Sequence, residues 1–347
     1  MRLHAAKQEP QSVYLASLFS YTITQMHESI PSTTNGYPKV HNMNFNGQSH
    51  DTKKSVTTAR KQRSWFELPA PIRQLFNTFP LVTYNENELP QRISIQRNRN
   101  LLYIFMLDEH SDRTRLSLNP ACLKWQSYLL INKIPFSVVS ANNHASPSGA
   151  LPFMLPATKS KKDPQPQAIV SSKVQRWAVS QGAKEEEQDI RLDAYVALID
   201  QNIRNAWLYY LYLRDENFEA VAKRLYVRSA SSNSLVRMSL AYQLKAAAKE
   251  ELLRTRTFID ESGIYDLAEV AFRSLSTLLA DDMFFSKSES PNLFDIALFA
   301  YIHPLLDLAS GGDSGLEWKN ESLLQGLLRY DSLVRHRERV LKQCFDG

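Results

Sequence analysis

An α/β domain followed by an all-helical domain is what this sequence predicts, on three observations. Between residues 101 and 182 the apolar spacing alternates in the order β-α-β, then β-β-α. Beyond residue 184 only helical spacing remains. Glycine is scarce, 10 in 347 residues, while Leu, Ala, Tyr and Phe are abundant, a balance that leans toward helix.

Taken in order, residues 1–63 are rich in Ser, Thr, Asn, Gln and His with little periodicity, and are expected to form a disordered polar arm. A new character begins at 64–96. There Ile72, Leu75, Phe76 and Phe79 recur at i, i+3, i+4, i+7 behind Pro69 and Pro71, which suit a first helical turn. Trp65, Phe66, Phe76 and Phe79 make this short amphipathic segment either a strap over its own domain or a partner-binding segment.

The α/β domain is expected over 97–183. LLYIFML (101–107) is an unbroken apolar run of strand length. NPACLKWQSYLLIN (119–132) opens with an Asn cap and a proline at the first helical position, and Leu123, Tyr128, Leu129 and Leu130 give it one broad apolar side. IPFSVVS (134–140) is β-branched and strand-like. A polar loop then leads to GALPFMLP (149–156), where Pro152 has no N–H to give a ladder. Pro152 therefore either opens an ordinary edge strand or holds a cis bond at a turn, since X-Pro bonds reach cis far more easily than others. PQAIV (166–170) reads as a short strand, and SSKVQRWAVSQG (171–182) as a Ser-capped helix.

The helical domain is expected over 184–347, behind the acidic link KEEEQD (184–189). Its five or six helices fall at 193–213, 216–227, 232–253, 265–282, 292–309 and 320–344. In the fourth, Leu267, Val270, Ala271, Leu275 and Leu278 are expected to share the buried stripe. The run AWLYYLYL (206–213) is apolar all round, so it is either central or covered by a partner. At PNLFDIALFAYI, Asn292 can cap the helix while Asp295, three residues on, reaches back to the cap's own N–H. The clusters at 185–187, 159–162 and 335–339 read as solvated, and His303-Pro304 as a satisfied core histidine beside a kink.

Charge and cysteine usage narrow the function. Residues 1–63 carry eight Lys/Arg against three Asp/Glu, residues 64–182 carry 13 against seven, and residues 183–347 carry 20 against 26. A weakly basic half on a weakly acidic half lacks the concentrated basic face of a nucleic-acid binder, so no nucleic-acid partner is expected. Cys122 and Cys344 stand far apart, and the eight histidines never occur as HxxxH, so neither a disulfide framework nor a metal site is expected. No Gly-rich phosphate loop, GxSxG or HExxH occurs. The run 292–309 is interrupted by Asp295, His303, Pro304 and Asp307, and reads as a buried helix rather than a span. The N-terminus shows no convincing cleavable address.

The β-α-β, β-β-α order with a proline-led third strand resembles the thioredoxin-like half of glutathione transferases, and a capping box opening an apolar helix resembles the centre of their helical half. The resemblance implies a cis Leu151–Pro152 bond, and a structural role for Pro152, Asn292 and Asp295. It also implies a Tyr, Ser or Cys near the first helix to serve a thiolate, and a Glu-Ser pair before the last helix of the first domain. Here those places hold Asn119 and Ser171-Ser172, with Ser111 and Ser117 as the nearest hydroxyls; Cys122 reads as a small apolar residue packed on the sheet. The sequence describes a transferase shape without a transferase site: no catalytic or cofactor-binding residue is assigned, and no cofactor.

More narrowly, FNTFPLVTY with ELPQR (76–92), LYIFMLD, NPACLKWQSYLL, GALPFMLP and NLFDIALFAYIHPLL resemble the metaxin family, over roughly residues 65–345. Metaxins are peripheral subunits of the mitochondrial outer-membrane sorting and assembly machinery. The resemblance implies a non-catalytic protein on the cytosolic face of that membrane. Its partners would be the barrel-forming subunit, a second metaxin-like subunit and the sorting signal of β-barrel precursors. Two other readings stay open: an active glutathione-dependent transferase, and a cytosolic scaffold.

Overall fold

Four short strands make one mixed sheet in the order β2-β1-β3-β4. The computed structural model describes residues 99–107, 116–158, 167–186, 189–228, 230–285, 287–310 and 314–345, all belonging to one unit. The expected arm, the 64–96 segment with Trp65, Phe66, Phe76 and Phe79, Ser111 and the cluster at 159–162 lie outside the described residues.

Strand β1 (Asn100–Ile104) runs parallel to β2 (Phe136–Ser140), with Asn100 opposite Phe136 and Ile104 opposite Ser140. A parallel pair needs a crossover, and helix α1 (Pro120–Ile131) supplies it. Strand β3 (Phe153–Leu155) pairs antiparallel with β1, placing Tyr103 against Phe153, whose rings stack 4.4 Å apart. Strand β4 (Ile169–Val170) closes the sheet antiparallel to β3. The Leu151–Pro152 bond is cis, so Pro152 stands just ahead of β3 rather than within its ladder. The apolar run 101–107 was expected to be strand throughout, yet pairing stops at Ile104, where β2 also ends; Phe105, Met106 and Leu107 leave the ladder and line a cavity.

Helix α1 is buried on more than one side, which its broad apolar pattern anticipates. Cys122, Trp125 and Leu129 pack with the sheet, while Leu123 joins Phe284, Phe299 and Val340 of the helical domain. Helix α2 (Ser171–Ser180) corrects the expectation of a serine cap. Strand β4 runs straight into it, so Val170 takes the cap position without a side-chain bond, and Ser171 is already the first helical residue.

The helical domain holds seven helices among the described residues. Helix α3 spans 190–213, with wider π winding at Leu198–Ile203 and Tyr209–Leu213. Arg214, extended at φ −78° and ψ 111°, breaks it from α4 at 215–228, which is π-wound over Phe218–Arg228. Then follow α5 (Ser234–Leu253), α6 (Glu261–Leu279), α7 (Leu293–Asp307), α8 (Ser322–Leu328) and α9 (Asp331–Phe345). The count exceeds the expected five or six because the last run breaks at Arg329–Tyr330 into α8 and α9.

One reading of the helices needs correction, and one left open is narrowed. In α6 the buried stripe is Ile264, Ala268, Ala271, Phe272, Leu275 and Leu279, whereas Leu267 and Val270 are exposed. The helix carries two overlapping apolar stripes, and the one with Ile264 and Phe272 removes more apolar area from water. The run 206–213 takes the central place in its domain, with Tyr209, Tyr212 and Leu213 half-buried. Trp207, Leu208, Tyr210 and Leu211 are all buried, and Trp207 meets Tyr301 and Trp318 edge-on at the centre of the domain. Among the described residues no helix is long and apolar enough to cross a membrane.

Candidate functional site

The residues just after β1 and just before α1 face a crevice between the two domains, with a volume of about 220 Å³. Phe105, Ser117 and Asn119 line one side, and Tyr226, His303 and Asp307 the other. This is where the resemblance places a thiolate-holding group, and where this sequence has Asn119, so each polar side chain here matters.

Asn119 is the N-cap of α1. Its Oδ1 accepts from the Cys122 N–H at 3.1 Å, and its Nδ2 donates to the Tyr226 hydroxyl at 3.0 Å, joining the two domains across 107 residues of chain. Ser117 donates its hydroxyl to the Phe105 carbonyl at 2.8 Å, and its N–H to Gln126 Oε1 at 2.8 Å. Both side chains are buried and bond within the protein, Ser117 to a backbone carbonyl and Asn119 to the start of α1 and the Tyr226 hydroxyl. Cys122 is fully buried one turn into α1, as the sequence suggests, and burial pushes its thiol up to about 12. A thiol held there is protonated at neutral pH and is no nucleophile. Burial likewise raises the Tyr226 phenol.

On the far wall, burial, with the Arg337 charge adding to it, holds His303 down to about 3. Arg337 Nε donates to His303 Nδ1 at 3.1 Å, which leaves the neutral ring's proton on Nε2. His303 also stacks on Phe299, so the core-histidine reading fits, and Pro304 follows it inside α7. Neither Tyr226, which lines the crevice, nor Arg337, which holds the crevice residue His303, was visible in the sequence. They come from helices 107 and 218 positions after Asn119, and no local motif announces either.

The second predicted site lies at the start of α7, and here the pattern is realised. Asn292 Oδ1 accepts from the Asp295 N–H and Asp295 Oδ2 from the Asn292 N–H, both at 3.0 Å. Asp295 does more than close the box. Its Oδ1 also accepts from the Phe285 N–H at 2.9 Å and lies 2.8 Å from His336 Nε2, and both side chains are completely buried. His336 therefore corrects the reading of 335–339 as a solvated face. Glu186 corrects the reading of the acidic link in the same way. Its Oε2 accepts from the Leu293 N–H at 3.0 Å, adding a carboxylate from outside the helix to the bare first turn of α7. Burial pushes Glu186 up from the ordinary carboxylate range. Ile296, one residue past the box, packs in the core of the sheet domain, so the box sits where the domains meet. The structure does not bring Pro152 to it; Pro152 sits ahead of β3, and the Leu151 N–H donates to Asn143 Oδ1 at 3.1 Å.

Two family models match this chain, the glutathione S-transferase N-terminal domain over residues 120–217 and the glutathione S-transferase C-terminal domain over residues 268–340. With the β2-β1-β3-β4 sheet, the proline-led third strand and the helical domain already described, these matches decide the fold. The chain is glutathione transferase-like. Solved structures similar to it include an apo glutathione S-transferase III, at 10% identity and a TM-score of 0.40, covering 72% of this chain and 96% of that one. Another is a glutaredoxin 2 from Salmonella typhimurium in complex with glutathione, at 14% and 0.42, covering 72% and 96%. A third is the β-etherase LigF from Sphingobium sp. strain SYK-6, at 14% and 0.39, covering 72% and 99%. No curated protein matches the chain in sequence. Against the glutathione transferase-like frame, the crevice is notable for how its polar groups are used. Asn119, Ser117 and Tyr226 hold the protein together, and the described residues there include no exposed thiol, and Ser171 stands where the resemblance places a carboxylate. Among the described residues no cluster of three His, Cys, Asp or Glu is placed to hold a metal ion.

Proposed function

We propose that this protein is a non-catalytic, peripheral subunit of the mitochondrial outer-membrane sorting and assembly machinery, of the metaxin type. Within that type it is the counterpart of the fungal thirty-five-kilodalton subunit, the relative of the second metaxin. It sits on the cytosolic face, held by the barrel-forming subunit and a second metaxin-like chain, and helps bind the sorting signal of β-barrel precursors and pass them to the bilayer. The observation that carries the non-catalytic part is Asn119. The residue at the thiolate position is a buried amide, not a hydroxyl or thiol, with Oδ1 engaged in capping α1 and Nδ2 in the tie to Tyr226. The metaxin part rests on the sequence motifs at 76–92, 149–156 and 292–306 taken together.

The two family models favour a second reading, a glutathione-dependent transferase. Ser171 in place of the γ-glutamyl-binding carboxylate and a Cys122 thiol at about 12 weigh against it. Affinity purification of the full chain from detergent-solubilised outer membranes, with identification of the bound proteins, tests the proposal. A barrel-forming subunit and a second metaxin-like chain are expected, and carbonate extraction should release this chain while leaving the barrel behind. Recovery of the chain alone, or only with soluble proteins, overturns the proposal. The same preparation carrying Phe76→Asp with Phe79→Asp reads whether the 64–96 segment is the hold. Loss from the complex on native gels with an unchanged cooperative melt is expected of a partner segment.

A further inference from the structure

Helix α5 turns an unusual face outward. Leu235, Met238 and Tyr242, spaced i, i+3, i+7, are 70, 67 and 75% exposed, and Ala246 and Leu253 continue the line. Large apolar side chains standing alone on a surface are ordinary, but three on two successive turns of one helix form a patch. Beside them runs a groove of about 540 Å³ between α4 and α5, floored by Phe218, Val227 and Ala241, with Met238 and Tyr242 as its outer lip.

The charge around this patch is mainly positive, with Glu219 as the one carboxylate in the groove lining. Of the 20 Lys/Arg in residues 183–347, six fall in 220–249, a run that contains none of the 26 Asp/Glu of that region. Four of the six, Lys223, Arg228, Arg237 and Lys245, line the groove. Lys223 and Lys245 are tied to Glu219 and Asp215 of α4, whereas Arg228 and Arg237 make no ion pair among the described residues. A cationic helix pair with an apolar lip is thus set into an otherwise acidic domain.

We infer that the outer face of α5, with the α4/α5 groove, is a docking surface for an anionic lipid bilayer. Two observations select a bilayer over an acidic peptide. The apolar side chains Leu235, Met238 and Tyr242 are each at least two-thirds exposed on the outer side of α5 and the groove's rim, as they must be to enter an interface. The cations are spread along the helix, Arg237 to Lys249 being about 18 Å at the α-helical rise, which suits a plane of headgroups better than one carboxylate. Leu235, Met238 and Tyr242 enter the headgroup–acyl boundary, and the arginines meet the lipid phosphates. This surface shares no lining residue with the crevice.

Vesicle co-sedimentation of the full chain tests it, with phosphatidylcholine alone and with phosphatidylcholine containing about a third phosphatidylserine as probes. Binding is expected only to the anionic vesicles, weakening as salt rises. Arg228→Gln with Arg237→Gln should weaken it about 30-fold, the worth of two cations at an anionic surface. Leu235→Ser, Met238→Ser and Tyr242→Ser together should abolish what remains, with an unchanged circular dichroism melt because all three are exposed. Equal binding to both vesicle types, or unchanged binding by both variants, overturns the inference. So does a result in which the variants bind vesicles normally but lose an acidic protein partner on native gels, which reassigns the surface to a protein.

Discussion

Asp295→Ala should be among the most damaging single substitutions in the helical domain. The carboxylate is completely buried and meets three groups: the Asn292 N–H at 3.0 Å, the Phe285 N–H at 2.9 Å and His336 Nε2 at 2.8 Å. Removing it strands two backbone donors and a buried imidazole. A buried polar group left without its partner costs about 1–3 kcal/mol. Three of them, partly relieved by entering water, give an expected loss of about 4 kcal/mol, a large part of the roughly 5–15 kcal/mol margin of a folded domain. Asn292→Ala removes only the acceptor for the Asp295 N–H, and should cost about 1 kcal/mol, as a lost helix cap does. Asp295→Asn keeps the shape but must turn an NH2 group toward one of the donors, so it should fall between the two. Urea unfolding of the full chain followed by far-UV circular dichroism gives all three values. A loss below about 1 kcal/mol for Asp295→Ala, or an Asn292→Ala loss equal to it, would refute the view of Asp295 as a hub joining the box to Phe285 and α9.

Two further predictions concern buried titratable groups. With its thiol at about 12 and no exposure, Cys122 should resist maleimide at neutral pH in the folded chain and react at once in denaturant; rapid modification of the native protein would show a reactive thiol in the crevice. Burial, then Arg337, holds His303 at about 3, against about 6.5 in the unfolded chain, so between those values the unfolded chain binds the proton and the folded chain does not. The stability present above about pH 6.5 is therefore lost as pH falls, by about 2 kcal/mol at pH 5, and His303→Asn should flatten that loss; identical acid sensitivity of both proteins would contradict it.

Much of this fold is legible in the sequence because its signals are local. Asn119-Pro120 marks the start of α1, and Asn292 with Asp295 marks the start of α7, since caps are set by side chains within one turn of the backbone groups they satisfy. The strand order follows from alternating periodicity, and Pro152 points to the turn before β3. What stays hidden depends on distant partners. The tie from Asn119 to Tyr226, and that from Asp295 to His336, join residues 107 and 41 positions apart with no motif in either segment. Glu186 looks solvated in a run of glutamates, and only the arrival of Leu293 gives it a role. In α6 the apolar pattern supports two stripes, and packing against α3 and α8 selects between them. The exposed line on α5 is invisible for a related reason: an apolar residue in a helix is expected inside until the fold shows that nothing covers it.

A glutathione transferase-like fold whose crevice has been turned over to holding its own domains together should not hold glutathione. Calorimetric titration of the full chain with glutathione measures this directly. No saturable heat is expected up to the millimolar range, and no conjugation of an electrophilic substrate in the same buffer. Saturable heat in that range, with binding weakened by Ser171→Ala, would contradict the non-catalytic reading and return the protein to the transferases.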